Sequence, residues 1–484
     1  MTKSPVRENA SERPAARPVH ALEALERAIA DGIAAHPLLR IGGKVTEISS
    51  SACRLAGLAH CVRLGECVEI VGPNQDQAAL CEVVRIDAHG VTVKPFDGTL
   101  EAGLGTMAWA HGSVTLSPDR SWKGRTINAL GKPIDGLGPL RQGERALPID
   151  REPPAPMRRQ RLRKPMKTGI RVIDLFTPLC AGQRIGIFAG SGVGKSTLLS
   201  MLARAAGFET TVLALVGERG REVREFLEDA LGRDKARTIA VVATGDESPM
   251  MRRLAPKSAM CIAEHLRDSG ENVLLIVDSV TRYAHAARDV ALSAGEPPVA
   301  RGYPPSVFSD LPRLLERAGA GEEGAGSITG VFTVLVDGDD HNDPVADSIR
   351  GTLDGHIVLD RAIAEQGRYP PVNVLASVSR LARAVLSAEQ QKLILKLREM
   401  IAQFEDTRDL RLMGGYQSGA DPGLDRAIHL VPRIYETLRQ APEEPSSGDA
   451  FQDIARALSA EVHEPAGASS RALRAPPSPS RQHA

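Results

Sequence analysis

RIGIFAGSGVGKSTLL, residues 184–199, passes from strand to turn to helix within a few residues. Ile185 to Phe188 is apolar and partly β-branched, as in a short buried strand. Ala189, Gly190, Ser191, Gly192, Val193 and Gly194 follow, a loop nearly bare of side chains, and then Lys195, Ser196 and Thr197 open an apolar helical run (Leu198, Leu199, Met201, Leu202). A glycine-rich turn between a strand and a helix N-terminus cradles anions, because successive backbone N–H groups point inward and the helix dipole favours negative charge. Lys195 is placed to reach β- and γ-phosphates, and the Ser196 hydroxyl to take a position on Mg²⁺. The pattern G-x-x-x-x-G-K-[ST] is met except at its first position, Ala189, where small size matters more than glycine itself. The alternative, a chance glycine turn, is disfavoured by the strand before and the helix after. These residues imply nucleotide binding, with ATP and Mg²⁺ as the ligands.

The chain has 484 residues, too many for one core and enough for about three domains. Lys plus Arg and Asp plus Glu each number 60, which argues against a chain whose main work is wrapping nucleic acid. Aromatics are scarce at 3%, and Ala, Leu, Val and Gly carry the apolar content. No run approaches the roughly 18 apolar residues that span a bilayer, and no apolar signal segment follows the first residues, so a soluble, cytoplasmic protein is expected. Cys53, Cys61, Cys67, Cys81, Cys180 and Cys261 lack C-x-x-C spacing, which favours buried reduced thiols over a metal or disulfide site.

Outward from the central stretch, the organisation reads as an α/β protein with a small N-terminal β-barrel, a P-loop mostly parallel sheet domain and a C-terminal helical domain. Residues 1–20 are polar, proline-bearing and mildly basic, hence disordered by composition. Residues 21–40 hold an amphipathic helix with Leu22, Leu25, Ile29 and Ile33 on one face; it either packs on its own barrel or docks a partner or membrane surface. From 41 to 116 the runs Cys67 to Val71, Leu80 to Ile86 and Gly90 to Val93, separated by turn residues, predict a small barrel. That barrel lacks the aromatic platform of a nucleic-acid binder and reads as scaffold. Residues 117–382 carry apolar strands at Thr211 to Val216, Thr238 to Ala243, Val273 to Val277 and Gly330 to Val336 with helices between, implying ligands at the strand C-terminal ends. Residues 383–441 are helical by pattern. Residues 442–484 read as a mostly disordered tail with one short helical pattern, Ala450 to Leu458.

Two segments of the core carry further chemistry. Leu274 to Val277 runs straight into Asp278, and a buried strand that delivers one carboxylate beside a phosphate loop is how a P-loop ATPase holds its Mg²⁺ shell. Gly217-Glu218-Arg219-Gly220-Arg221-Glu222 lies directly after another strand. Two carboxylates and two guanidiniums at a strand tip suit catalytic work, in which they orient water, approach the metal and bind γ-phosphate oxygens. Without the phosphate loop, a salt-bridged helix start would be the simpler account.

The order of these motifs, with GYPPSVFSDLPRLLERAG and PPVNVLASVSR, resembles the catalytic-subunit family of rotary ATP synthases. Pro370 to Ser379 fits that family's signature P-[SAP]-[LIV]-[DN]-x-x-x-S-x-S. AGSGVGKSTLL, AGEPPVARGYPPSVFSDLPRLLERAG, VLVDGDDHNDPVADSIRGTLDGHIVLDR and GGYQSGADPGLDRAI sharpen the resemblance toward the export ATPases of flagellar and injectisome type III secretion. It covers roughly residues 40–440.

The resemblance implies roles residue by residue. Lys195 and Ser196 match the phosphate-binding lysine and the Mg²⁺-ligating hydroxyl. Glu218 is similar to the glutamate that polarises the hydrolytic water, Arg219 to a γ-phosphate ligand and Glu222 to a more distant metal contact. Asp278 matches the metal-site aspartate, and Arg282 a phosphate-side arginine. Tyr369 takes the place of the tyrosine that stacks on adenine, and Arg380 that of an arginine finger reaching into a neighbouring subunit. Glu218 and Arg380 occupy one chain, so identical copies complete each other's sites in a closed ring; the family makes six, and a homohexamer is expected.

The same resemblance implies a stator-like regulator at the N-terminal helix, a coiled-coil central stalk protein facing the C-terminal helices, export gate proteins of the inner membrane, and export substrates with their chaperones. It implies no nucleic acid, and a cytoplasmic location peripheral to the inner membrane. Flagellar export is favoured on the wording of Gly338 to Arg361 and EQGRYPPVNVLASVSRLA; the alternatives are an injectisome ATPase, a non-enzymatic ring subunit and a hexameric RNA helicase.

Overall fold

The computed structural model describes residues 39–72, 78–98, 100–336 and 343–459, together with Leu22, Leu25, Glu26 and Ile29. The chain divides into two compact units, Met1–Gly112 and Ser113–Ala484. The tails expected to be disordered, residues 1–20 and the last residues from 460 onward, lie outside the described residues.

The first unit is a closed antiparallel barrel. Its strands are β1 (Gly42–Ile48), β2 (Cys53–Ala56), β3 (Cys67–Val71), β4 (Ala78–Asp87), β5 (Gly90–Pro95) and β6 (Met107–Gly112), paired in the order β1-β2-β5-β4-β3-β6. Closure leaves no unpaired strand edge. Alternating residues turn inward, so Val45, Leu55, Val68, Ile70, Val83, Val91 and Val93 fill the barrel. Gly90 opens β5 at φ +141°, and a Cβ there would lie 2.3 Å from the Leu55 carbonyl oxygen, so only glycine fits. Of the helix expected at the N-terminus, Leu22, Leu25, Glu26 and Ile29 are helical. The three apolar side chains are 72%, 60% and 54% exposed; Ile33 lies outside the described residues.

The second unit is built on a nine-stranded sheet. Its strands are β7 (Thr126–Asn128), β8 (Arg184–Ala189), β9 (Thr210–Val216), β10 (Thr238–Ala243), β11 (Asn272–Asp278), β12 (Ser327–Leu335), β13 (Gly355–Val358) and β14 (Val378–Ser379), in the order β14-β13-β8-β12-β11-β9-β10-β7; Gly319–Ala320 adds a short antiparallel edge to β12. All other pairings are parallel except β13 with β14. The expected run at Gly330 to Val336 begins earlier, at Ser327, because Ser327 to Thr329 pair with Asn272 to Leu274. β8 and β11 are buried on both faces, with Ile185, Ile187, Leu274 and Ile276 fully shielded. Such side chains contribute about 1.5–3 kcal/mol each by leaving water, which makes these strands rigid mounts for the loops at their C-terminal ends.

Helices α1 (Arg171–Phe176), α2 (Lys195–Ala203), α3 (Gly220–Glu225), α4 (Pro249–Asp268), α5 (Val280–Ser293), α6 (Pro305–Glu316), α7 (Pro344–Thr352) and α8 (Arg361–Glu365) accompany the sheet. The C-terminal part contains α9 (Ala388–Asp406), α10 (Pro422–Leu438) and α11 (Ala450–Ser459). Ser387 and Gln390 close a capping box on α9, and the Asp421 carboxylate caps α10. Leu397 and Ile401 of α9 are buried with Val431 and Ile434 of α10 in the same core as α2 and β8.

Two expectations are corrected. Residues 442–449, read as part of a disordered tail, are ordered, with hydrogen bonds from Lys167, Ser447 and Arg204 holding them, while the short helical pattern expected at Ala450 to Leu458 is α11, whose Ile454 is fully buried. The cysteines are buried and reduced as expected except Cys61, which is exposed in a turn between β2 and β3.

Candidate active site

Parallel order places the ends of β8, β11 and β9 on one rim, with β12 between β8 and β11. The loop after β8 enters α2 through Gly194 at φ +103°, the left-handed cap that lets the backbone turn its N–H groups inward. Lys195 begins α2. Its Nζ lies 3.3 Å from Glu218 Oε1 and pairs also with Asp278 Oδ1. All three side chains are largely buried, Asp278 the most.

The remaining site residues are set by their strands. Asp278 ends β11 and receives the Thr333 hydroxyl of β12 at 2.7 Å. Glu218 follows β9; the Gly245 N–H donates to its carbonyl at 3.1 Å, tying it to the loop after β10. Ser196, Glu218, Glu222 and Asp278 line one cavity of about 520 Å³. Glu218, Glu222, Glu225, Asp229, Asp278 and Glu443 line it against Arg204, with the Lys195 ammonium beside Glu218 and Asp278, an excess of negative charge that a cation would relieve. Among the described residues no three His, Cys, Asp or Glu side chains form a cage of their own. A cation in this cavity would draw ligands from phosphate and water, which suits Mg²⁺.

A second cavity, about 700 Å³, adjoins the first at Thr197 and Pro442 and is lined by Gly194, Leu198, Met201, Tyr369 and Pro371. A Cβ on Gly194 would sit 3.6 Å from Tyr369 Cε1, so the tyrosine ring stands beside the phosphate loop, with 45% of the residue exposed. An aromatic face among aliphatic side chains suits a nucleobase.

The arginines sit differently. Arg219 has an 82% exposed side chain and pairs with Glu222 at 3.1 Å. Arg282, in the first turn of α5, lays its aliphatic part on Gly217 and keeps its Nε buried with no hydrogen-bond partner among the described residues. Arg380 is exposed beyond β14; its Nη2 donates to the Arg350 carbonyl at 3.5 Å and its N–H to the Asp354 carbonyl at 2.9 Å. The structure therefore gathers Lys195, Ser196, Glu218, Glu222, Asp278 and Tyr369, and leaves Arg380 on another surface.

Sequence reasoning did not single out Thr333, a lone strand threonine, or Arg361, whose Nη2 donates to the Ser191 carbonyl of the loop at 3.0 Å. A polar residue on the strand between two motif-bearing strands is the one signal that points to Thr333.

The nucleotide-binding domain model described as ATP synthase alpha/beta family matches residues 169–379, and the model for the T3SS EscN ATPase C-terminal domain matches residues 386–460. A flagellum-specific ATP synthase of Agrobacterium fabrum is 58% identical over 417 residues, covering 86% of this chain and 88% of that protein. The chain belongs to the type III export ATPases of the ATP synthase alpha/beta family. A type 3 secretion system ATPase of Xanthomonas euvesicatoria is 41% identical over 409 residues, covering 84% of this export ATPase and 91% of that one. The assembled ATPase EscN from the enteropathogenic E. coli type III secretion system superposes with a TM-score of 0.80 at 38% identity, covering 86% of this chain and 99% of that one. EscN in complex with its central stalk EscO superposes with a TM-score of 0.77 at the same identity and coverage. The export ATPase thus has the barrel, sheet and helical parts of that fold, and it is an ATPase.

Proposed function

We propose that this chain hydrolyses MgATP at the subunit interfaces of a homohexameric ring and energises flagellar protein export. The observation that carries the catalytic reading is the convergence of Lys195, Glu218 and Asp278 from three strand ends on one cavity. The loop N–H groups and Lys195 hold the β- and γ-phosphates, a phosphate competing with the two carboxylates for the ammonium. Glu218 orients a water and takes its proton as the water oxygen bonds to the γ-phosphorus and the bond to the β-phosphate oxygen breaks. Ser196, Asp278 and Glu222 would hold Mg²⁺, which would supply positive charge to neutralise the phosphates. Tyr369 stacks on adenine. Arg282 faces the phosphates, and Arg219 exchanges Glu222 for the γ-phosphate.

Arg380, remote from its own phosphate loop, serves the site of the neighbouring copy, and the assembled state of EscN supports a ring. The stalk complex of EscN supports a coiled-coil stalk partner at the C-terminal helices. The exposed face of Leu22, Leu25 and Ile29 supports a docked regulator at the N-terminus, which would bring a cytoplasmic ATPase to the inner-membrane gate with its substrates and chaperones. Higher identity to the flagellar relative than to the virulence-type one supports the flagellar branch.

A gene deletion tests the export assignment: motility should vanish and return with the wild-type gene. A deletion strain that still swims excludes the flagellar reading. Lys195→Ala protein should lose ATP turnover through lost phosphate binding.

A further inference from the structure

The wall that joins the two cavities does not come from the sheet. Pro442 borders both, Glu443 lines the phosphate side, and Gln440, Ala441 and Glu444 line the base side. This short run lies between α10 and α11 and has no apolar pattern of its own; Arg171, at the edge of the second cavity, makes the largest share of the bonds that hold it and its ends. Arg171, at the start of α1, donates its backbone N–H to Gln440 Oε1 at 3.0 Å and its Nη1 to the carbonyls of Arg439 at 2.9 Å and Thr437 at 3.3 Å. Its Nε lies 3.3 Å from Asp453 Oδ2 on α11, and its Nη2 3.6 Å from Glu444 Oε2. One guanidinium thus grips the end of α10, the wall and α11 together, a use of its planar fork that lysine cannot copy.

Three further bonds hold that wall, two of them to the nucleotide machinery. The buried Gln440 donates its N–H to the Tyr369 carbonyl at 2.9 Å and its Nε2 to the Gly169 carbonyl at 2.9 Å. Arg204, just past the end of α2, donates to the Pro442 carbonyl at 2.9 Å. The wall is therefore bonded to the segment bearing the aromatic ring and to the helix that the phosphate loop opens.

We infer that Arg171 is a positioning residue for nucleotide binding: it latches residues 440–444 as the wall against the base and ribose. The inference rests on the placement of nucleotide proposed above. Loss of the Arg171 side chain would loosen the wall at Glu444 and at both of its ends, the backbone bond to Gln440 and the Arg204 bond remaining, and weaken the hold on the nucleoside while the phosphate cradle, built by the loop itself, stays as it is.

The consequence separates two ligands that share phosphates. Inorganic triphosphate needs the cradle alone, whereas ATP needs the cradle and the wall. With full-length Arg171→Ala, KM for ATP should rise about tenfold, as expected for losing hydrogen bonds that a charged group makes. The loss should fall on KM more than on kcat, and inhibition by inorganic triphosphate should keep its wild-type constant. Arg171→Lys should recover only part of the loss. A KM within twofold of wild type, or equal weakening of ATP and triphosphate in a protein with a wild-type melt, overturns the latch.

If Arg171→Ala does not fold, Gln440→Ala, at a residue that lines the base side alone, releases the wall by another of its bonds and should show the same split between ATP and triphosphate; absence of the split there overturns it too. Lys195→Ala, assayed in parallel for binding, should lose both ligands. Retained triphosphate binding by that variant overturns the placement of the phosphates and the latch with it.

Discussion

Thr333 donates its hydroxyl to Asp278 Oδ1 at 2.7 Å, and the same carboxylate oxygen pairs with the Lys195 ammonium. The strand between the phosphate-loop strand and the aspartate strand thus fixes the carboxylate from the side. Thr333→Val keeps the shape and removes the donor. A buried hydrogen bond to a charged group contributes about 1.5–3 kcal/mol, so the variant should melt lower and need more Mg²⁺ for half-maximal ATPase. An unchanged Mg²⁺ requirement in a titration would show that Thr333 does not set the carboxylate's position.

Glu218 and Arg380 occupy different surfaces of one chain, and that separation predicts complementation. Glu218→Gln should bind nucleotide nearly as wild type while kcat falls by about 10²–10⁴, the usual size of a general-base contribution; a rate above about a tenth of wild type excludes the assignment. Arg380→Ala subunits should also bind nucleotide and be inactive alone. Mixed with Glu218→Gln subunits they should recover activity, since some interfaces pair an intact glutamate with an intact arginine. Mixed rings, confirmed by mass, that remain inactive refute the shared site.

Acid should reveal the Asp135 anchor. The Arg125 guanidinium binds this carboxylate at 2.7 and 2.9 Å, and the Thr126 and Leu137 N–H groups add to it, holding its pKa well below the usual carboxylate range. A group depressed on folding stabilises fully above its unfolded value of about 3.9 and loses that contribution as pH falls through the folded value. Asp135→Asn should therefore lower the melting temperature by the same amount from pH 8 to pH 5, with the gap narrowing only below about pH 4. A gap that already closes by pH 6 points to another titrating group.

Thiol accessibility gives the cleanest readout of the cores. Burial pushes the Cys261 thiol up to about 12 and raises Cys53, Cys81 and Cys180 as well, while Cys61 is exposed. The thiolate is the reactive form. A maleimide should therefore modify Cys61 alone in the native protein and every cysteine after denaturation. Native labelling of Cys261 would contradict the packing of α4 against the chain around Leu147.

Legibility in the sequence depends on how local each feature is. Lys195, Ser196 and Asp278 can be placed from short motifs because a strand, a turn and a helix start are neighbours in the chain, and parallel pairing then brings their ends to one rim. The barrel is legible for the same reason, through β-branched runs punctuated by turn residues. Thr333 is not, because a threonine in an apolar strand looks like any β-branched filler until the strand order is known. Residues 442–449 mislead because PEEPSSGD carries no apolar period; its order comes from side-chain and backbone hydrogen bonds, among them the Ala441 N–H to Glu444 and the Phe451 N–H to Asp449. The bond between Arg171 and Gln440 spans 269 positions, and no window of sequence contains both ends.

That long reach has a consequence in time. A ribosome adding about 5–20 residues per second completes Gln440 roughly 12–50 s after Lys195. Throughout that interval the nascent chain carries the phosphate-loop sequence without its far wall, and for most of it without the neighbouring strands β12 and β13. On the placement proposed above, the full grip on a nucleotide arrives only once the wall has emerged.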